Sequence, residues 1–180
     1  GMYRSSQPSP AQLAKYQKTL GLRTVINLRG PHGYGSYALE KEACAALGIA
    51  LHDIKLYSRT PPEIEEVHAM DELFKQIEYP ALLHCKSGAD RAGIGAALYR
   101  ILHLGHKVED AMSELGWKYG HFKRARTGVL DFFLATYVAR NQRSPIGFLE
   151  WVDTEYSRLE TQTRFREEGW ASLIVDKVLH

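Results

Sequence analysis

The sequence predicts an α/β protein: a central, mostly parallel sheet with helices on both faces and a helical extension at the C-terminal end. Three observations lead there. Short strand-like runs alternate with helix-period segments along most of the chain, the pattern of parallel strands joined by crossover helices. Ile94 to Leu104 is apolar on almost every side, with Gly93 and Gly95 permitting close approach, so it belongs in the middle of the fold. Between the run Ala81-Leu82-Leu83 and that segment lies HCKSGADRAG, His84 to Gly93, which reads as strand, tight loop and helix. Right-handed crossovers then bring the strand ends and their loops to one edge.

In order, residues 3–6 suit a short edge strand. Ser9 as N-cap and Pro10 at the first helical position start a helix that ends at Gly21, with Leu13, Tyr16 and Leu20 on its apolar stripe. Thr24 to Leu28 reads as a buried strand, and Arg29-Gly30-Pro31 with Gly33 and Gly35 as a flexible loop. Open α/β sheets bind ligands at the carboxyl ends of strands, so Arg29 and His32 are candidates for the mouth of a site. Pairing of Arg29 with Glu40 or Glu42 is an equal alternative. Residues 37–47 form a helix stopped by Gly48, and Ile49 to Leu56 a strand. The loop Tyr57 to Pro62 carries Arg59, a further candidate ligand contact. Thr60, Pro61 and Glu63 supply an N-cap, a first-turn proline and a capping box for a helix facing inward through Ile64, Val67, Met70, Phe74 and Ile77.

Ala81 to Cys85 is the next strand, and Gly105 ends the central helix. Val108, Ala111, Met112 and Leu115 mark another helix. Residues 116–126 form a loop with Lys118, His121, Lys123, Arg124 and Arg126, either a solvated face or an attraction for a polyphosphorylated or lipid substrate. Thr127 caps a helix packed through Leu130, Phe133, Leu134 and Tyr137. Ser144-Pro145 starts a helix with Phe148, Val152 and Leu159, and a last one carries Trp170, Ile174 and Val178. Residues 1–142 are thus one domain, and 143–180 an extension packed on it or on a partner.

At 180 residues the chain is long enough to bury a real core, and 44% hydrophobic with 24% charged residues argues against disorder. A net charge of +2 gives no bulk attraction to nucleic acid. Two cysteines are too few for a disulfide scaffold. No apolar run approaches the roughly 20 residues needed to span a bilayer. Together with the need for a reduced thiol, argued next, this favours a cytoplasmic setting. Gly1 ahead of Met2 looks like a tag remnant, which leaves an upstream anchor or signal, and membrane association, open. The eight histidines and the acids show no HExxH or CxxC spacing, so no metal and no other cofactor is expected. The loop is also not the nucleotide loop GxxxxGK[ST].

A loop between a strand and a helix gathers backbone N–H groups with the positive end of a helix dipole, a concave site for an anion. Cys85 at its base sits in a field that favours thiolate, the nucleophilic form. Arg91, after five intervening residues, offers a planar fork of donors to two oxygens of one phosphate. The amides from Lys86 through Ser87, Gly88 and Ala89 hold the remaining oxygens, and the Lys86 and Ser87 side chains point into the cleft or to solvent. His84 orients the loop. Cys44, on the flank of its helix, is a packing thiol or, less simply, a disulfide partner for Cys85.

This register resembles the signature loop of the cysteine-dependent protein tyrosine and dual-specificity phosphatases. The Asp90-Arg91 pair narrows the resemblance to compact bacterial members, some of which act on phosphoinositides as well as phosphoproteins, and YRSSQPS and VINLR are similar to that group. The resemblance covers roughly residues 3–140 and implies a phosphatase domain over 1–142. It also implies a phosphocysteine intermediate, with phosphotyrosine or phosphoserine protein or phosphoinositide-like substrates. Two departures stand out. Many relatives carry Ser or Thr after the loop Arg, to stabilise the departing thiolate, where this chain has Ala92; breakdown of the intermediate is then slow unless Ser87 substitutes. The loop 57–62 also lacks the Asp that dual-specificity enzymes use as general acid. Two carboxylates compete for that role: Asp90, as in Asp-Arg relatives, and Asp53, 32 residues before Cys85. Asp53 reads as a strand residue three positions before the strand's end, paired to a base such as Arg4, so Asp90 is preferred. A phosphate-binding module without turnover is the alternative reading, and rhodanese-type sulfur transfer a third.

Overall fold

The computed structural model describes residues 1–167. Four strands, β1 (Met2–Ser5), β2 (Thr24–Asn27), β3 (Ala50–Asp53) and β4 (Ala81–His84), form one sheet in the order β1-β4-β2-β3, and every pairing is parallel. The register aligns the last residue of each strand, since Ser5 lies opposite His84, His84 opposite Asn27, and Asn27 opposite Asp53. One sheet edge therefore collects all four carboxyl ends and the loops that leave them.

Successive strand residues point to opposite faces, which splits the core in two. Val25 and Leu82 join Leu13 and Cys44 beneath α1 (Pro10–Leu20) and α2 (Gly35–Leu47). Ile26 and Leu83 join the larger cluster on the other face. That cluster draws on α3 (Ile64–Gln76), α4 (Asp90–Leu98), α5 (Val108–Ala111) and α6 (Val129–Arg143). The α/β class read from the alternation is the observed one. The apolar segment after the loop is central as expected: a Cβ on Gly95 would lie 2.7 Å from Leu28 Cδ1. It begins earlier than periodicity suggested, at Asp90, and ends in a wider helical turn over Tyr99–His103.

Several boundaries need correction. β3 stops at Asp53 because its neighbour β2 ends at Asn27, whose side chain turns the chain by accepting from the Arg29 N–H and donating to Gly30 O. Glu63, not Thr60, is the N-cap of α3, with Glu66 accepting from the Glu63 N–H at 2.9 Å, and Thr60 Oγ1 instead accepts from Arg158 at 3.1 Å. Gly128 rather than Thr127 precedes α6. Ser144 ends α6, and the next helix, α7 (Phe148–Thr154), starts only after Gly147. Between them the chain is tied down by Tyr137 Oη donating to Ile146 O at 2.8 Å and by the Ile146 N–H donating to Asn141 Oδ1 at 2.9 Å.

α7 packs Phe148, Trp151 and Val152 into the larger cluster beside Phe133 and Tyr137. Tyr156 Oη donates to Pro62 O at 2.6 Å, and Arg158, first residue of α8 (Arg158–Glu167), donates to Pro61 O at 3.0 Å and pairs with Glu63. The expected final helix with Trp170, Ile174 and Val178 lies outside the described residues. Among those described, no helix is long and apolar enough to cross a membrane.

Candidate active site

The candidate site is the loop between β4 and α4. Cys85 is its first residue and is buried, 2% exposed. Lys86 and Ser87 are exposed, Gly88 is half-buried and Ala89 buried. Gly88 has φ +76°, and a Cβ there would lie 2.7 Å from Ser6 N and 2.8 Å from Ser5 C. Glycine is required twice, for the left-handed backbone and for the contact with the end of β1. The Gln7 N–H donates to Lys86 O at 3.3 Å along the same seam.

Arg4 clamps the loop from beneath. Its Nη2 donates to Gly88 O at 2.7 Å and Ala89 O at 3.1 Å, its Nη1 to Glu114 O at 2.9 Å, and its guanidinium lies 3.8 Å from the centre of the Tyr119 ring. Glu114 completes the brace with an Oε2 contact of 3.1 Å. The expected Arg4–Asp53 pair does not exist. Asp53 accepts instead from Asn27 Nδ2 at 2.7 Å and from Tyr37 Oη, and the hydrogen bond to Asp53, then burial, pushes the Tyr37 hydroxyl up to about 12.

Arg91, in the first turn of α4, is half-buried, and its Nε is buried with no hydrogen-bond partner among the described residues. Arg29 is not paired to Glu40 or Glu42. Its Nη1 donates to Gln7 Oε1 at 2.7 Å, one residue removed from the loop. His32 lies 5.2 Å, centre to centre, from the rings of both Tyr34 and Tyr37, and burial, then the Arg29 charge, lowers it below the usual histidine range. Arg59 is exposed, without a hydrogen bond or ion pair among the described residues.

Two buried arrangements escaped sequence reasoning. Next to Cys85 in sequence, His84 Nε2 lies 2.7 Å from Glu40 Oε1, at ion-pair distance but off the hydrogen-bond angle, and both side chains are fully buried. Its Nδ1 is 3.4 Å from Cys85 O. Glu40 shares the inner face of α2 with Cys44 four residues on, and an acid on that face was the available signal. Cys44 is free; burial, then the Glu40 charge, pushes its thiol up to about 12, which makes it a packing residue. Beside the loop, His121 Nδ1 lies 2.7 Å from Asp90 Oδ1, and its Nε2 makes a short contact with Asp131 Oδ2. Asp131 sits fully buried between Leu130 and Phe132, and an acid within that apolar helix face was the available signal.

A family model described as "DSP-PTPase phosphatase fused to NAD+ Kinase" matches residues 1–127. The chain belongs to this family. Among solved structures, TpbA from P. aeruginosa is 23% identical, over 76% of this chain and 78% of its own, with a TM-score of 0.55. A TpbA structure in complex with pTyr is 24% identical over 70% and 74%, at 0.53. PTPMT1 is 17% identical over 79% and 96%, at 0.55. These likenesses are of fold. No curated protein matches. The DSP-PTPase match takes in Arg4, the whole loop from Cys85 to Arg91, and His121, and it ends before Asp131.

Proposed function

We propose that the protein hydrolyses phosphomonoesters through a phosphocysteine intermediate on Cys85. The observation that carries this reading is the buried Arg91 Nε, without a partner among the described residues, on a guanidinium beside a loop whose base is a buried cysteine. An unpaired buried donor costs on the order of 1–3 kcal/mol, which an oxyanion seated in the loop offsets. Cys85 Sγ attacks phosphorus while the bond from phosphorus to the ester oxygen breaks. Arg91 and the amides of Lys86 to Ala89 hold the three nonbridging oxygens as their charge redistributes. Asp90 gives a proton to the leaving oxygen, water then attacks phosphorus, and the thiolate departs. Arg4 and the His84–Glu40 pair keep the loop in shape.

The substrate class is a phosphorylated tyrosine or serine on protein or a phosphoinositide-like headgroup. Lys118, Lys123, Arg124 and Arg126 on the loop that bears His121 supply positive charge for either, with Arg29 and Arg59 as further contacts. Hydrolysis of p-nitrophenyl phosphate in the presence of a metal chelator, with inhibition by vanadate, tests the reaction class. Metal-independent, vanadate-sensitive turnover is expected. Vanadate binding without turnover would establish the alternative, a phosphate-binding module, which Ala92 favours.

A further inference from the structure

Resting on the reading of Asp90 as the proton donor, we infer that Asp90, His121 and Asp131 form a proton relay, in which His121 holds the proton that Asp90 delivers to the leaving group. The three groups come from three places, Asp90 from the start of α4, His121 from the loop after α5, and Asp131 from the first turn of α6. Both ring nitrogens are engaged, Nδ1 at 2.7 Å from Asp90 Oδ1 and Nε2 against Asp131 Oδ2. His121 is 1% exposed and Asp131 fully buried, whereas the Asp90 side chain is 23% exposed. The chain of contacts thus runs from the interior to one carboxylate that reaches the open end, and Asp90 Oδ2 makes no hydrogen bond among the described residues.

Two carboxylates around one imidazole are held together when the ring carries both protons. Burial lowers the basicity of His121, but the hydrogen bonds and charges of Asp131 and Asp90 outweigh it and raise the ring to about 9. The other charges near the group are Lys123, 3.6 Å from Asp131 Oδ1, and Arg4, stacked on Tyr119 two residues before the histidine. At neutral pH the proton therefore rests on the His121 ring, at hydrogen-bond distance from Asp90 Oδ1. A bound phosphate dianion and the Cys85 thiolate put further negative charge beside Asp90, which draws the proton across from Nδ1 to Oδ1. The leaving oxygen then takes it from the Asp90 carboxyl. His121 is left neutral, its remaining N–H donated to Asp131. When water attacks the phosphocysteine the proton returns by the same path. His121 is a positioning residue and proton store; it need not touch the substrate.

The experiment compares the parent with His121→Gln and Asp131→Asn on aryl phosphates from p-nitrophenyl phosphate to phenyl phosphate, across pH. Gln keeps a donor for Asp90 but has no proton to release. Phenyl phosphate hydrolysis is expected to fall at least tenfold more than p-nitrophenyl phosphate hydrolysis in His121→Gln. The alkaline fall in the parent's rate on phenyl phosphate is expected to move to lower pH in Asp131→Asn. A loss of equal size on every ester, with an unmoved pH profile, makes His121 a structural brace and overturns the relay. So does a ring nitrogen spectrum of the parent at pH 7.5 showing His121 singly protonated, a measurement that needs no variant to fold. Absence of vanadate-sensitive turnover in the parent overturns the phosphatase reading and the relay with it, and is distinct from either of those results.

Discussion

A histidine held between two carboxylates ties folding stability to pH, and His121 does so in a definite direction. Burial pulls its basicity down and the bonds to Asp131 and Asp90 push it up further, to about 9 against 6.5 in an unfolded chain. A group raised on folding stabilises the native state fully below the unfolded value and loses that contribution as pH climbs through the folded one. On the order of 3 kcal/mol is therefore expected below pH 6.5 and absent above pH 9. Urea denaturation of the parent and His121→Gln at pH 6 and pH 9.5 measures it; the gap between the two proteins should close at the higher pH. At this scale the strand, tight loop and helix that carry Cys85 and Arg91 were legible because their register is local. Arg4 was not, since it meets Gly88 84 residues away. The expected place of Asp53 three residues before its strand's end failed for a related reason, because where β3 stops depends on how Asn27 turns the neighbouring strand.

Among the elements, the loop between β4 and α4 depends on Gly88. Gly88→Ala forces a left-handed backbone on a residue with a side chain, about 1–2 kcal/mol, and drives its Cβ into the backbone of Ser5 and Ser6. Loss of vanadate binding is expected, with an intact far-ultraviolet spectrum and a lower melting temperature; retained binding would mean that the loop does not rest on β1. The existence of the strands and of α1 to α4 was readable from alternation and from local caps such as Ser9-Pro10, whereas the order of the strands in the sheet was not. Helix starts at Thr60, Thr127 and Ser144 were misjudged because their cap-forming residue types have other roles or neighbours. Thr60 accepts from Arg158, Gly128 takes the position before α6, and the chain after Ser144 is held by Asn141 and Tyr137.

Taken whole, the molecule buries Trp151 against Phe133, Tyr137, Phe148 and Tyr156, so α6 and α7 share one core. Trp151→Ala should cost about 3–5 kcal/mol of stability by chemical denaturation, and a change below about 1 kcal/mol would show that α7 is dispensable. How residues 144–158 pack could not be read in advance, because the aromatic contacts and the Tyr156–Pro62 bond join positions far apart in sequence. All four strand ends, the Arg4 clamp and the His121–Asp90 contact converge on one loop, with Cys85 at its base. The most direct test is to mix the protein with excess p-nitrophenyl phosphate, quench in acid within the first turnovers, and map the peptides by mass spectrometry. One phosphoryl group on the peptide containing Cys85 is expected in the parent, accumulating because Ala92 offers no hydroxyl to the departing thiolate, and none in Cys85→Ser. Steady turnover with Cys85 unlabelled, or hydrolysis by Cys85→Ser at the parent's rate, would contradict the covalent mechanism.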